Sequence, residues 1–221
     1  QAGISSISWS EDSRLIASAT TATFGPGYLN VWDVATGRSM ANSIIARTNI
    51  VNAEVPIGLL GARRTIVIPA RLDWPVGPNA ALAWPFGVGA QSIGIPWPKD
   101  IGANMRFNYR RIAVSPDAAM LAFVANSSSG GELLMFRTED WRLMSRIGTD
   151  RHLLFNDFRF SSSGALVGMV VDPSDAIGTR GPFEAVIMSS ALVPRLTIPS
   201  VDPPIVSLAF SGDDRYLVTG E

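Results

Sequence analysis

One short pattern, repeated along the chain, constrains this sequence more than any other feature. Four segments superimpose without gaps: 4–20 (ISSISWSEDSRLIASAT), 109–125 (YRRIAVSPDAAMLAFVA), 155–171 (FNDFRFSSSGALVGMVV) and 205–221 (IVSLAFSGDDRYLVTGE). Each is an apolar run, a polar turn opened by Ser10, Ser115, Ser161 or Ser211, and a second apolar run. Apolar residues alternate before the turn, as in Ile7/Trp9, Ile112/Val114, Phe158/Phe160 and Leu208/Phe210. A period of two belongs to a β-strand with one more deeply buried face. The turn residues Ser, Pro, Asp and Gly close hairpins by local hydrogen bonding or by supplying unusual backbone angles.

Ser10 and Ser115 lie about twice as far apart as the other anchors, so a divergent copy is expected between them. Segment 55–70 (VPIGLLGARRTIVIPA) fills the gap, with Gly61 where the others have Ser. The anchors 10, 61, 115, 161 and 211 are then spaced by 51, 54, 46 and 50 residues. Further strands follow in 28–42 (YLNVWDVATGRSMAN), 132–147 (ELLMFRTEDWRLMSRI) and 183–198 (FEAVIMSSALVPRLTI), whereas the second unit offers only 92–98 (SIGIPWP). A four-stranded antiparallel unit repeated about every 50 residues matches a propeller blade, which needs neighbours to bury both faces.

The turn segments Trp9-Ser-Glu-Asp and Val114-Ser-Pro-Asp, with Val31-Trp-Asp-Val-Ala-Thr-Gly37, resemble the WD-repeat family. TolB-like propeller repeats are the near alternative. There is one Trp-Asp pair, Trp32-Asp33, and no Gly-His pair; His152 lies near where the family keeps its structural histidine. The resemblance implies an all-β chain, a β-propeller of four-stranded antiparallel blades, in a single segment spanning 1–221. The expected blades are 3–48, 49–105, 106–150 and 151–200, with a partial blade at 201–221. About four and a half blades make an incomplete ring, so the chain is expected to be a fragment of a longer protein, with the remaining blades of the parent chain as partners.

Composition excludes several kinds of chemistry. Hydrophobic residues make up 47% and charged residues 17%, which permits a large core and argues against disorder. There is no cysteine and one histidine, His152, so thiolate and multi-histidine metal sites are out. Net charge is −1 and Lys99 is the only lysine, so no broad basic field would attract nucleic acid; the Arg106–Arg111 cluster of arginines and aromatics is therefore not read as a nucleic-acid site. Residues 74–98 are uncharged but repeatedly broken by Pro and Gly, so no membrane helix is expected there. No signal peptide is visible; a cytoplasmic location is expected, with an upstream segment implied by a chain that opens on Gln1. No cofactor is expected, and neither Gly25-Pro-Gly27 nor Gly130-Gly131 has phosphate-loop spacing.

Function is therefore expected on loops. Those after the second strands look long: 20–27, 69–91, 126–131 and 172–181. They carry the candidate partner-binding residues Phe24, Trp74, Trp84, Phe86 and Arg180. Aromatic and arginine side chains are favoured interface anchors, and rigid scaffolds commonly present binding loops. Asp172 and Asp175 read as turn formers, His152 as structural, and Trp9, Trp32 and Trp141 as core. By resemblance, the chain is expected to be a non-catalytic scaffold that binds a protein or peptide. The alternative is the propeller of a larger hydrolase or quinone-dependent dehydrogenase, with the chemistry outside these residues.

Overall fold

The computed structural model describes residues 2–22, 27–45, 56–69, 79–87, 91–96, 98, 108–127, 130–148, 154–172, 183–200 and 204–220. These form only strands and turns, divided between two compact units, Gln1–Ala103 and Asn104–Glu221.

The first unit holds two sheets. One has the order β1 (Ala2–Trp9), β2 (Leu15–Ala22), β3 (Gly27–Asp33) and β4 (Ser39–Ile45). The other has β5 (Gly58–Leu60), β6 (Thr65–Pro69), β7 (Asn79–Pro85) and β8 (Ile93–Pro96). The second unit holds two four-stranded sheets and a hairpin. The strands are β9 (Asn108–Val114), β10 (Met120–Ser127), β11 (Gly130–Arg137) and β12 (Arg142–Gly148); β13 (Leu154–Phe160), β14 (Leu166–Asp172), β15 (Glu184–Ser189) and β16 (Pro194–Pro199); and β17 (Ser207–Phe210) with β18 (Leu217–Gly220). All pairings are antiparallel between sequence neighbours.

All five first turns share one geometry. The fourth residue of each adopts positive φ: Ser13 (58°), Arg64 (48°), Ala118 (55°), Gly164 (74°) and Asp214 (58°). Its N–H donates to the carbonyl of the anchor residue, at 2.8–3.0 Å, in all five. In the Ser-Xaa-Asp turns the serine hydroxyl donates to the aspartate two residues on and accepts the N–H five residues on: Ser10 with Asp12 and Leu15, Ser115 with Asp117 and Met120, Ser211 with Asp213 and Tyr216. These hydroxyls, and then the backbone N–H two residues beyond, hold Asp12, Asp117 and Asp213 below the usual carboxylate range. Gly61-Ala-Arg-Arg64 makes the same turn without a serine. A Cβ on Gly61 would stand 2.5 Å from Ser10 Cβ, so packing against the first sheet's turn excludes the usual residue. The Asp of Trp32-Asp33 also serves a turn, accepting from Thr36 N (2.8 Å) and Oγ1 (2.7 Å) ahead of Gly37 at φ 66°.

The second sheet departs from expectation. Its third strand is β7, inside the stretch 69–91 read from sequence as loop, and Ile93–Pro96 is the fourth strand. Three alanines weaken its apolar signal, and Pro78 and Pro85 bracket it; Pro85 is tolerated because it ends the strand, opposite Thr65.

Cores form where sheet faces stack. In the first unit, small Ala17 and Ala19 with Leu29 and Val31 meet Leu59, Ile66, Ile68 and Leu82. In the second, Ala122, Val124, Leu133 and Met135 pack with Phe158, Val167, Met169 and Met188. The other face of β14 takes the hairpin: Val170 and Ala185 cluster with Ile205 and Leu208. Gly168 makes room there, since a Cβ would lie 2.9 Å from Leu208 Cδ1. Buried on both faces, β14 is a nearly continuous apolar run, whereas the outer strand β16 is mostly exposed. Trp9, expected in the core, is 54% exposed beside Ile7 (56%), because both lie on the face of β1 turned away from the second sheet.

The turn geometry sets an expectation against the repeat consensus. Gly61→Ser should lower stability by about 1–3 kcal/mol through overpacking, seen as a lower urea midpoint. An unchanged or higher midpoint would contradict the packing account.

Candidate functional site

The first strand is an edge strand in every sheet, so one side of its backbone lacks a partner within the sheet. First strands of adjacent sheets touch: β1 with β5 in the first unit, and β13 with both β9 and β17 in the second. Side chains of one sheet satisfy the free N–H groups of the next. Ser8 Oγ accepts from Leu59 N at 3.1 Å. Asp157 Oδ2 accepts from Leu208 N at 3.1 Å. Carboxylates also join the turns: Glu11 accepts from Gly61 N (2.9 Å) and Ala62 N (2.7 Å), and Asp214 accepts from Ser162 N (2.7 Å), Ser163 N (3.1 Å) and the Ser163 hydroxyl. The Ser163 hydroxyl, ahead of the other donors, holds Asp214 below its ordinary range.

Asp157 is the centre of this network. Its side chain is 2% exposed, and it lies just after an irregularity in the β13–β14 register. Oδ1 accepts from Arg111 Nε (2.9 Å) and Nη2 (2.6 Å) and from Phe158 N (2.9 Å). Arg159 Nη1 stands 3.3 Å from the same oxygen. One carboxylate thus joins β9, β13 and β17. Alignment on the turn serines puts Arg111, Asp157 and Ser207 four residues before Ser115, Ser161 and Ser211. Arg111 belongs to the Arg106–Arg111 cluster, and its guanidinium is engaged with Asp157. The network went unrecognised in sequence because single charges in apolar strands read as solvent-facing. The repeat alignment held the one usable signal: Arg and Asp at equivalent positions of consecutive units.

Of the candidate aromatic anchors, Trp84 and Phe86 lie among the described residues. Phe86 is 3% exposed in the first unit's core, with Arg64 stacked on its ring (5.5 Å to the centroid) and its N–H on Arg64 O (2.8 Å). Trp84, on β7 opposite Ile66, is half-buried against that core. Both lie at the end of the sheet that carries the 61–64 turn, and β7 separates them from connection 70–78. The assignment of Trp84 and Phe86 to a loop is corrected: the apolar stack of the two sheets claims them. Phe24, Trp74 and Arg180 lie outside the described residues, in the chain joining β2 to β3, β6 to β7 and β14 to β15, as do His152 and Asp175. Long connections after second strands are not general, since Ser127 pairs directly with Gly130 across residues 128–129. Among the described residues, no cluster of three His, Asp or Glu could hold a metal.

Solved structures share this architecture. A Kuenenia stuttgartiensis hydrazine synthase chain matches with a TM-score of 0.67 at 12% identity, over 97% of this chain and 60% of that one. The β-propeller domain of Myceliophteria thermophila Cps50 (Swd1) matches with a TM-score of 0.66 at 14% identity, over 98% of this chain and 66% of that one. The fold is that of a β-propeller. The Dos1 propeller agrees, with a TM-score of 0.53 at 15% identity over 98% of this chain and 65% of that one. The propeller's sheets are the blades, and its turn motifs make it WD-repeat-like. The chain spans 60% of the first of these neighbours and about two thirds of the other two. No family model and no curated protein matches the chain.

The network gives a direct expectation for stability. Asp157→Ala strands Arg111 and leaves two buried N–H groups without acceptors, and should cost about 2–4 kcal/mol. Urea unfolding checks this, and a loss below about 1 kcal/mol would mean that the carboxylate is not a tie between blades.

Proposed function

We propose that this chain is part of a larger propeller serving as a non-catalytic protein-interaction module, with a protein or peptide docking at the connections that follow the second strands. The observation that carries the reading is a contrast between the two ends of the sheets. At one end the five first turns are short and closed by their own hydrogen bonds, and four of them are tied to a neighbouring turn. At the other end, connections 23–26, 70–78 and 173–183 carry Phe24, Trp74 and Arg180, residue types that anchor interfaces.

Two apolar faces support the larger propeller. The first sheet exposes Ile7, Trp9, Tyr28 and Met40, and the last hairpin exposes Tyr216 and Val218. Faces of this kind are covered wherever sheets stack within each unit. Further blades of the parent chain are their proposed partners, in keeping with the greater length of the neighbours. A second reading, the propeller portion of an enzyme, has in its favour that one neighbour is a hydrazine synthase.

Trp74→Ala in the parent protein should reduce capture of its partner while shifting stability by less than about 0.5 kcal/mol. Phe86→Ala should cost about 3–5 kcal/mol. Affinity capture with mass spectrometry, beside thermal melts, checks both. Undiminished capture by Trp74→Ala would remove the proposed anchor. Failure of the unmodified parent to retain any protein would favour the enzyme-associated reading.

A further inference from the structure

We propose that Arg111 and Arg159, set around the buried Asp157 carboxylate, form a recognition site for the carboxylate of an acidic peptide segment. The inference deepens the protein-interaction reading and rests on it.

The charges around Asp157 do not balance. Two guanidinium groups face one carboxylate, which leaves one positive charge in excess among the described residues. Asp157 is already engaged elsewhere: Oδ1 serves Arg111 and Phe158 N while Oδ2 serves Leu208 N. Arg159 is left with a 3.3 Å approach to Oδ1 and a 3.3 Å hydrogen bond from Nη1 to Phe158 O. Its Nε and Nη2 donate to nothing among the described residues.

Arg159 is also partly withdrawn from water. Its side chain is 39% exposed and that of Arg111 36%. Burial first, and the neighbouring Arg111 after it, pull the Arg159 pKa below its ordinary value, while Asp157 only partly opposes them. The group remains charged at neutral pH. A guanidinium whose remaining donors have no partner among the described residues, and whose solvation is reduced, is suited to bidentate contact with a carboxylate. Low local dielectric strengthens that contact relative to one on open surface.

The size of the excess selects the ligand. One surplus charge matches one carboxylate. A nucleic-acid backbone needs a wide basic field, which a chain of net charge −1 does not supply.

Fluorescence polarisation of a labelled, capped tetraglutamate peptide on the purified chain tests the site, with a tetraglutamine peptide as control and inorganic phosphate as competitor. The glutamate peptide should bind and the glutamine peptide should not, with affinity falling as salt rises. Arg159→Ala should weaken binding by about tenfold, with an unchanged melting temperature. Should that variant not fold, Arg159→Lys stands in for it: the charge is kept, the fork is lost, and binding should be weakened but present. Equal binding by the unmodified chain and the folded variant, or no binding of the glutamate peptide at all, overturns the proposal. So does displacement by phosphate at concentrations where chloride of equal ionic strength has no effect, which would mark a general anion site.

Capture from the parent separates this inference from the reading beneath it. Equal retention of a partner by the parent and its Arg159→Ala variant leaves the interaction module standing and removes the carboxylate site. Retention of nothing by either removes the module itself.

Discussion

A propeller built from open sheets must satisfy the backbone of every innermost strand without a neighbouring strand beside it. In this chain side chains reach from one blade to the N–H groups of the next. Ser8 does so for Leu59, and Asp157 for Leu208. Glu11 repeats the device at the turns, and Asp214 does so in reverse, from the last hairpin back to Ser162 and Ser163 of the preceding blade. An unpaired buried N–H costs about 1–3 kcal/mol, so these links decide whether neighbouring sheets can close on one another. Because acceptor and donor belong to different blades at each of these links, cohesion becomes a property of neighbours.

Packing follows the same logic. Where one sheet presents bulk, the next presents a small residue or none: Ala17 and Ala19 face Ile66 and Ile68, and Gly168 makes way for Leu208 and Phe210. Gly61 belongs to this set, because Ser10 of the adjoining turn occupies the place of its Cβ. The residue that looks most divergent in the repeat is therefore the one most closely determined by its neighbour.

Much of the fold was readable from sequence because the repeat preserves local chemistry. Ser-Xaa-Asp turns announce themselves through hydroxyl, carboxylate and backbone contacts within five residues. What escaped depended on distant partners. Strand β7 was hidden because alanines pack between sheets without raising the apolar signal, so Trp84 and Phe86 were read as loop aromatics when the core had claimed them. Trp9 was read as core because hydrophobicity says nothing about which face of a terminal blade is covered. The Asp157 network needed the juxtaposition of three first strands from different sheets before a lone Asp in an apolar run could be recognised as a tie.

These ties concentrate charge in the second unit, where Arg111, Asp157 and Arg159 converge. The central claim, that side chains of one blade cap the backbone of the next, is tested most directly by residue-resolved amide hydrogen exchange. Gly61, Ser162 and Leu208 should exchange at least about a hundredfold more slowly than unstructured amides, as hydrogen-bonded groups that open only with larger fluctuations. Unprotected exchange at these positions in a folded chain, beside protected amides in β10 and β14, would contradict the account.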